Sequence, residues 1–534
     1  MAAETNLERE YKFDVHPEFD PPDLRSLVGR TERLPEQHLT TTYFDTPDRR
    51  LWARGITLRH RLEAEGDLPA GPLGKWTLKL PVAVGPAAGG PDGMARSELT
   101  WQGPLERVPP EASAVIAGLV RRAPLQPVVE LRTERRRLVL HEGASGGEGP
   151  WGELDDDLVS VTSGPRAGLR FRQIELELLS QDPSGGEGTP AQRVVDELRR
   201  VGAQPGGGSK FAMAAGLDEG PDEDGAVPDR KGTDVPSAVK EILAADLARL
   251  LEWDYRLRVP DRAGDAAALD VEAVHQARVA ARRLRADVRT LAPVLDPVWV
   301  GHVKSDLKWL GGLLGRLRDE DVLVERIRAH GDGSAGAADE EAVEELVTLL
   351  RRDRHLGAAE LCEALASARY ADLLDRVHAA ADAPPLSEPA GGDAPPDSLQ
   401  AALTSALSTR WRLFSTELAE VGPHPGDDTL HHLRIRAKRL RYAAEASEPY
   451  IGGRARRTAR AAKRVQSVLG DLHDASVAAR TLREMASHPS VTPAVAYVAG
   501  RIAGRAEGDT ERLREAWRKA AGKLAAGKAA KWLR

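Results

Sequence analysis

Glu8-Arg9-Glu10-Tyr11-Lys12 sets two carboxylates and an ammonium at alternate positions near the start of the chain. Residues two apart share one face of a β-strand, so acids and base point the same way. A strand on a wet surface can show this pattern, and its weight depends on repetition. Gln173, Glu175 and Glu177 repeat it, as do Arg59/Arg61, Thr77/Lys79, Arg96/Glu98, Thr133/Arg135/Arg137 and Glu153/Asp155. Between them stand Leu58, Leu78, Leu80, Leu138, Leu140, Leu154, Ile174, Leu176 and Leu178.

Runs at 57–61, 75–80, 96–101, 128–140, 152–161 and 169–179 therefore read as strands. Gly/Pro-rich connections at 66–74, 85–93 and 143–149 are hairpin-like, and 104–119 and 190–201 have helical spacing. A sheet with one apolar and one densely ionic face is either a solvated sheet or a closed barrel with a polar lumen. In the barrel, clustered carboxylates suit a hard divalent cation, and Arg forks and Lys ammonium groups suit phosphate oxygens. Wet faces mix in Ser, Gln and Asn, so dense charge of both signs on every strand favours the barrel.

The chain of 534 residues has room for two to four domains. Its net charge of −7 means that affinity for a polyanion must come from a local basic surface. A single cysteine, Cys362, excludes an internal disulfide and a cysteine-based metal cluster. The polar, acidic amino terminus is unlike a signal peptide, and no stretch approaches the roughly 18 apolar residues of a membrane span, so a cytoplasmic protein is expected. Aromatics at 4% disfavour nucleic-acid recognition by base stacking.

Residues 217–234 turn acidic and glycine-rich and read as a linker. From 235 onward Leu and Ala recur at helical spacing, with a break at 384–396. The stretch 274–285 matches 430–441 at an offset of 156, and 314–319 matches 469–474 at 155, so a helical unit is duplicated. His275, Arg278, Arg282 and Arg285 fall within an arc of roughly 80° on one helix, and His431, Arg434, Lys438 and Arg441 reproduce the stripe. A stripe with no interleaved acid is an amphipathic helix face in water or a seat for an anion that offsets like-charge repulsion. The surrounding cations disfavour metal binding by these histidines. The basic run 514–534 is a solvated closing helix or a further polyanion contact.

Glu8-x-Glu10-x-Lys12, Tyr43-Phe44-Asp45-Thr46, Leu51, Gly55, Leu58-Arg59-x-Arg61, Thr77-Leu78-Lys79, Arg96-x-Glu98 and Ile174-Glu175-Leu176-Glu177 resemble the CYTH domain, the triphosphate tunnel metalloenzyme fold, across residues 4–214. The resemblance implies an eight-stranded antiparallel tunnel that binds a linear triphosphate and Mg²⁺ or Mn²⁺. By position, Glu8, Glu10, Asp155, Glu175 and Glu177 would serve the metal, and Lys12, Arg59, Arg61, Lys79, Arg96, Arg135 and Lys210 the phosphates. Glu8, Glu10 and Lys12 would form the catalytic strand, and Glu98 could serve a metal or an arginine. Gln173 departs from a glutamate common in the family.

The H-x-x-R-[VI]-x-x-[RK]-R-L-R blocks followed by L-G-x-x-x-D resemble the CHAD domain across 235–534. That resemblance implies an all-α domain of two duplicated four-helix bundles, at 235–383 and 398–534, with a basic channel for inorganic polyphosphate. His275, Arg278, Arg282, Arg285, Lys308, His431, Arg434, Lys438, Arg441 and Lys463 would line it, with Lys304, Arg316, Arg318 and Arg464 as further candidates. The expected architecture is an α+β multidomain chain: tunnel domain 1–214, acidic linker 215–234, helical domain 235–534. The expected activity is metal-dependent hydrolysis of inorganic triphosphate or a related compound, with association to polyphosphate granules. The alternatives are adenylate cyclase or thiamine triphosphatase on the same tunnel, or a non-enzymatic polyphosphate-binding protein.

Overall fold

A computed structural model describes residues 4–65, 73–81, 94–141, 149–179, 189–206, 208–217, 234–259, 269–331, 337–387, 399–422, 424–488, 491–526 and 530–533. The chain divides into two compact units near residues 224/225. Most of the acidic linker, most of the break at 384–396 and the hairpin tips lie outside the described residues.

The first unit contains β1 (Glu4–Val15), α1 (Arg25–Val28), β2 (Arg30–Arg33), β3 (Gln37–Asp45), β4 (Thr57–Glu65), β5 (Gly74–Pro81), β6 (Met94–Gly103), α2 (Pro110–Val120), β7 (Gln126–His141), β8 (Pro150–Ser163), β9 (Arg170–Leu178), α3 (Pro190–Arg200), β10 (Gln204–Pro205) and α4 (Lys210–Ala215). Eight antiparallel strands run in the order β1-β6-β5-β4-β3-β7-β8-β9, and β9 pairs back to β1 to close the barrel. The short β2 and β10 attach to β7 and β1. This is the eight-stranded tunnel that the CYTH resemblance implies. β3 is the strand that alternation does not mark: its Thr40-Thr41-Thr42 centre offers neither charge nor a large apolar group.

Closure gives every strand an inside and an outside. On the outside, Tyr11, Phe13, Leu140, Leu154, Ile174 and Leu176 pack against Leu24 and Val28 near α1 and against Ala191, Val194, Val195 and Leu198 of α3. Each large apolar side chain buried this way contributes about 1.5–3 kcal/mol, which keeps the opposite, ionic face turned inward. One section of the interior is apolar: Tyr43, Val129, Leu131, Val159, Val161 and Phe171 pack with Phe211, Ala214 and Ala215 of α4.

The second unit contains α5 (Val235–Arg258), α6 (Val271–Leu291), α7 (Pro297–Gly331), α8 (Ala337–Ala366), α9 (Ala368–Asp382), α10 (Leu399–Glu420), α11 (Asp427–Ile451), α12 (Gly453–Ala486) and α13 (Pro493–Ala526). The duplicated motifs fall on α6/α7 and α11/α12. Ser367 caps Tyr370 N and starts α9, which gives the first repeat one more helix than the second. Among the described residues, two apolar clusters of this unit stand out. One joins α10, α11, α12 and the end of α13 around Trp411, Phe414, Leu440 and Trp517. The other draws on both repeats, with Leu323, Ile327 and Leu346 of α7/α8 against Leu482, Val498 and Ile502 of α12/α13.

The bend from β3 into β4 rests on Asp45, which is 2% exposed. Its Oδ1 accepts from Thr46 N (2.7 Å) and Leu51 N (3.0 Å), and Oδ2 accepts from Trp52 N (3.0 Å). Asp45→Ala strands these backbone donors, and a loss of about 3 kcal/mol in the first unit's unfolding free energy is expected, read from urea denaturation.

Candidate functional site

The inward faces of the barrel strands enclose a cavity of about 220 Å³ lined by Glu8, Glu10, Lys12, Arg59, Arg61, Lys79, Arg96, Glu98, Arg135, Asp155, Glu175, Glu177 and Lys210, together with Tyr43, Thr57, Lys75, Ser209 and Phe211. Every metal and phosphate candidate named from the sequence therefore reaches one lumen. Strand register produces the clustering: Glu10 stands opposite Glu177, Lys12 opposite Glu175, Asp155 opposite Glu175, and Lys79 opposite Glu98.

The carboxylates form two groups. In the first, Glu8, Glu10, Glu98 and Glu177 share the lumen with Lys79 and Lys12. Lys79 Nζ lies 2.5 Å from Glu8 and 2.7 Å from Glu98, and Lys12 Nζ 2.8 Å from Glu10. Glu98 thus serves cations here, with Arg59 at 3.8 Å. Against its burial, Lys79 and Arg59 hold the Glu98 carboxyl down to about 2. Glu177 behaves oppositely: burial, then Glu8, Glu98 and Glu10, push it up to about 7 despite Lys79. Burial also raises Glu8, with Glu10 and Glu98 adding to it against Lys79.

In the second group Asp155, Asp157 and Glu175 surround Arg135 and Lys210. Arg135 donates to Asp157 through Nε (2.8 Å) and a second nitrogen (2.7 Å) and pairs with Asp155. Lys210 Nζ lies 2.6 Å from Glu175 and 2.8 Å from Asp157. Burial opposes ionisation of Glu175, yet Lys210, Lys12 and Arg135 hold it well below the usual carboxylate range. Asp155 is pushed up to about 8 by burial, with Asp157, Glu153 and Glu175 adding to it against Arg135. Asp157, fully buried, was not among the sequence candidates; two residues beyond Asp155, it shares that face.

Among the described residues, Arg61, Arg96 and Lys75 line the lumen without a carboxylate at ion-pair distance. Arg61 donates to Thr41 Oγ1 at 3.3 Å, and burial with Arg59 and Arg135 pushes it down to about 10. Tyr43, another lining residue missed as a site candidate, is lowered by Arg59 and Arg61 against its burial.

Gln173 shares the inward face with Glu175 and Glu177 but lies beside Asp14, outside the lining of the cavity. Its Nε2 donates to Asp14 Oδ1 (2.8 Å) and Gly208 O (3.1 Å), tying β1 to the segment that presents Lys210. Gly206 N donates to Lys12 O at 2.8 Å beside it. The departure from a glutamate at 173 therefore removes no carboxylate from the lining.

No group of three or more His, Cys, Asp or Glu side chains among the described residues is arranged to hold a metal. The donor chemistry nevertheless suits a hard divalent ion: burial and neighbouring carboxylates raise Glu8 and Glu177, and Asp155 Oδ1 is buried without a hydrogen-bond partner.

In the helical unit, α6 packs on α11 and their two stripes meet. Arg282 Nε donates to Tyr442 Oη at 2.7 Å. Lys438 is pushed down to about 6 by burial, Arg282, Arg434, Arg278 and Arg285, so cations from both helices converge on it. The acids missing from the stripes come from the following helices: Arg278 pairs with Asp319 at 2.9 Å and Arg434 with Asp474 at 3.6 Å, both from the L-G-x-x-x-D blocks. His275 is lowered by burial and Arg318, and His431 by burial and Arg434. His473 stacks 4.6 Å from His431. Arg441 pairs with Glu445 at 2.7 Å. Lys308 and Lys463 are exposed on α7 and α12, and Lys463 lines a separate groove between α12 and α13 with Arg464, Lys519 and Lys523. Arg316 pairs with Glu360, and Arg318 with Glu325 at 3.0 Å. No described helix is long and apolar enough to cross a membrane.

A closed antiparallel barrel with an ionic lumen, followed by a duplicated helical domain, defines the class of proteins that join a triphosphate tunnel to a histidine-bearing helical module. The CYTH domain family model matches residues 6–200 and the CHAD domain model residues 241–483. An uncharacterized protein of Mycobacterium tuberculosis is 32% identical over 506 residues, covering 90% of this chain and 89% of its own length. The chain belongs to this CYTH–CHAD family. Among solved structures it is similar to PptA from Streptomyces chartreusis (23% identical, 55% of this chain and 100% of that one, TM-score 0.43). It is also similar to the CHAD domain from the plant Ricinus communis (24%, 56% and 93%, TM-score 0.42). CYTH family members are triphosphatases or cyclases, and the tunnel enzymes use divalent metal ions.

The raised Glu177 contributes to a stability window that Asp155, pushed up to about 8, shares. The folded pKa of Glu177, about 7, exceeds the unfolded value of 4.5, so it binds more protons folded than unfolded, and stability is lost as pH rises from 4.5 through 7. Glu98 acts below this window, losing its contribution as pH falls towards 2. In metal-free protein, Glu177→Gln is expected to flatten the decline in thermal midpoint between pH 5 and 8.

Proposed function

We propose that the barrel hydrolyses inorganic triphosphate, or a closely related linear phosphate compound, with Mg²⁺ or Mn²⁺. The supporting observation is that Arg61, Arg96 and Lys75 reach the same small lumen as the acidic group Glu8/Glu10/Glu98/Glu177 without carboxylates of their own. An anion of several negative charges matches the first set and a divalent cation the second.

In this reading Arg59, Arg61, Arg96, Arg135 and Lys210 hold phosphate oxygens, and Lys12 and Lys79 turn from Glu10 and Glu8 towards the substrate. Glu8, Glu10 and Glu177 would hold the metal, with Asp155 and Glu175 beside them to orient cations or water. When bound, the ion neutralises charge on the transferred phosphoryl group and lowers the pKa of water. Water attacks the terminal phosphorus in line, the bridging P–O bond breaks, and pyrophosphate leaves. The water proton passes to a lumen carboxylate.

Whole-chain assays of triphosphate, ATP, thiamine triphosphate and long polyphosphate with each metal test this reading. Triphosphate is expected to turn over fastest, and Glu10→Gln to lower kcat about 100-fold or more with unchanged circular dichroism. Unchanged turnover, or cyclic AMP formed from ATP, would overturn the assignment.

The helical unit, in the same proposal, binds inorganic polyphosphate along the α6/α11 seam and so associates with polyphosphate granules. Binding is expected to weaken with salt, as for other polyanions. Lys438 is largely uncharged near neutrality without ligand, so an anion must draw a proton onto it. Affinity should therefore fall as pH rises from 6.5 to 8.5, and Lys438→Arg should remove that slope in titrations of the whole chain. An unchanged slope would count against Lys438 as the titrating contact.

A further inference from the structure

Duplication permits a comparison inside the molecule. At the offset of 156, Arg283 corresponds to Arg439, Arg285 to Arg441, Asp287 to Ala443 and Arg289 to Glu445. The two copies keep their arginines and differ in their acids.

Around Arg283 three acids lie within ion-pair reach. Its guanidinium lies 3.5 Å from Asp287, 3.8 Å from Asp246 and 3.6 Å from Glu445. Arg441 pairs with Glu445, and Arg249 with Asp246. Three guanidinium groups (Arg249, Arg283, Arg441) thus meet three acids (Asp246, Asp287, Glu445), of which burial and Asp246 hold Asp287 well above the usual carboxylate range. Around Arg439 the same framework has lost two acids, to Ala443 and Arg289. The i,i+4 pair Arg441–Glu445 of one copy is the like-charged pair Arg285/Arg289 in the other.

A cavity of about 440 Å³ opens there, lined by Arg289, Lys304, Arg410, Arg436 and Arg439 above Ala286, Ala292 and Leu413. Among the described residues, only Arg436 of these cations has a carboxylate partner, Glu417 at 2.7 Å. Arg410 donates to the carbonyls of Ala406 (3.0 Å) and Arg289 (2.7 Å), which orient it without neutralising it. Arg285 Nε is buried with no hydrogen-bond partner. Burial with Arg285, Arg439 and Arg410 pushes Arg289 down to about 10.

We infer that this cavity is a second anion-binding site of the helical unit, present on one side of the duplication only, and that it takes a phosphoryl group carrying more than one negative charge. Like charges crowded on adjacent helices are unfavourable unless an anion offsets them, and the other copy shows how readily an aspartate and a glutamate would do so. Guanidinium forks on three helices suit the several oxygens of a tetrahedral oxyanion better than the two of a carboxylate. Arg285 belongs to the seam stripe and stands one turn before Arg289, so the group can be a free short phosphate or part of a chain lying along the seam. The inference does not rest on the seam binding anything.

Lysine acylation of the whole chain, read by peptide mass spectrometry with and without pyrophosphate or long-chain polyphosphate, separates these cases. Lys304 reports the cavity and Lys438 the seam. At least one probe is expected to protect Lys304 several-fold, and Arg289→Ala with Arg439→Ala to abolish that protection. Protection of Lys304 alone by pyrophosphate identifies a free short phosphate, and joint protection of Lys304 and Lys438 only by the long chain identifies a chain segment. Lys304 left equally reactive under both probes, or protected in the double variant, overturns the inference, while Lys438 protection in the same sample still upholds the seam. Because the substitutions relieve repulsion, the ligand-free thermal midpoint is expected to hold or rise. A fall would show that these arginines are already compensated.

Discussion

The barrel depends on one exchange of partners at Glu10. Residues 4–10 of β1 pair with β6, residues 10–15 pair with β9, and Glu10 belongs to both ladders. That switch closes the sheet and opposes Glu10 to Glu177 and Lys12 to Glu175. A slip of one residue would turn Glu8, Glu10 and Lys12 outward and bring Arg9, Tyr11 and Phe13 into the lumen. It would also withdraw Tyr11 and Phe13 from the core beneath α1 and α3. Packing on the outside and charge on the inside are therefore two consequences of one register, and the apolar core holds the ionic site in place.

Burying so many charges is unfavourable unless they are paired, and pairing is incomplete by design of the register. Asp157, Glu175, Lys210 and Arg135 satisfy one another closely. Glu177 faces other carboxylates, and Arg61 faces other arginines. The first set fixes Arg135 and Lys210 in place at the lumen wall; the second keeps uncompensated charge of both signs. Gln173 supports the first set by donating to Asp14 and Gly208 at once. A glutamate there would set a second carboxylate against Asp14, so an amide is the side chain this neighbourhood requires.

Alternation of charge with leucine and isoleucine made most barrel strands and the lumen face legible in the sequence, because period two and closure assign the same residues to the inside. β3 escaped because threonines serve either face. Asp157 was legible by the same alternation, two residues beyond Asp155, and was passed over although its signal was present. In the helices, the stripes of His275 and His431 were readable as local periodicity. Their partners Asp319 and Asp474 were not, since they arrive from the next helix about forty residues later. Lys308 and Lys463 carry the right charge, but sequence spacing alone does not distinguish a helix face beside the seam from one in solvent.

Duplication places two cationic stripes against each other, and a seam between identical charges cannot be stabilised by those charges. Apolar contacts elsewhere must hold it: the cluster joining α7 and α8 to α12 and α13 draws on both repeats, and Phe414, Leu440 and Trp517 secure the second repeat itself. Burial and the surrounding arginines push Lys438 down to about 6, and Arg278 and Arg434 each take one carboxylate at the rim. What remains is a positive surface kept in place by packing that does not need a ligand. A bound anion would therefore add its full favourable interaction to the stability of this unit, through the linkage that any ligand selective for the folded state obeys.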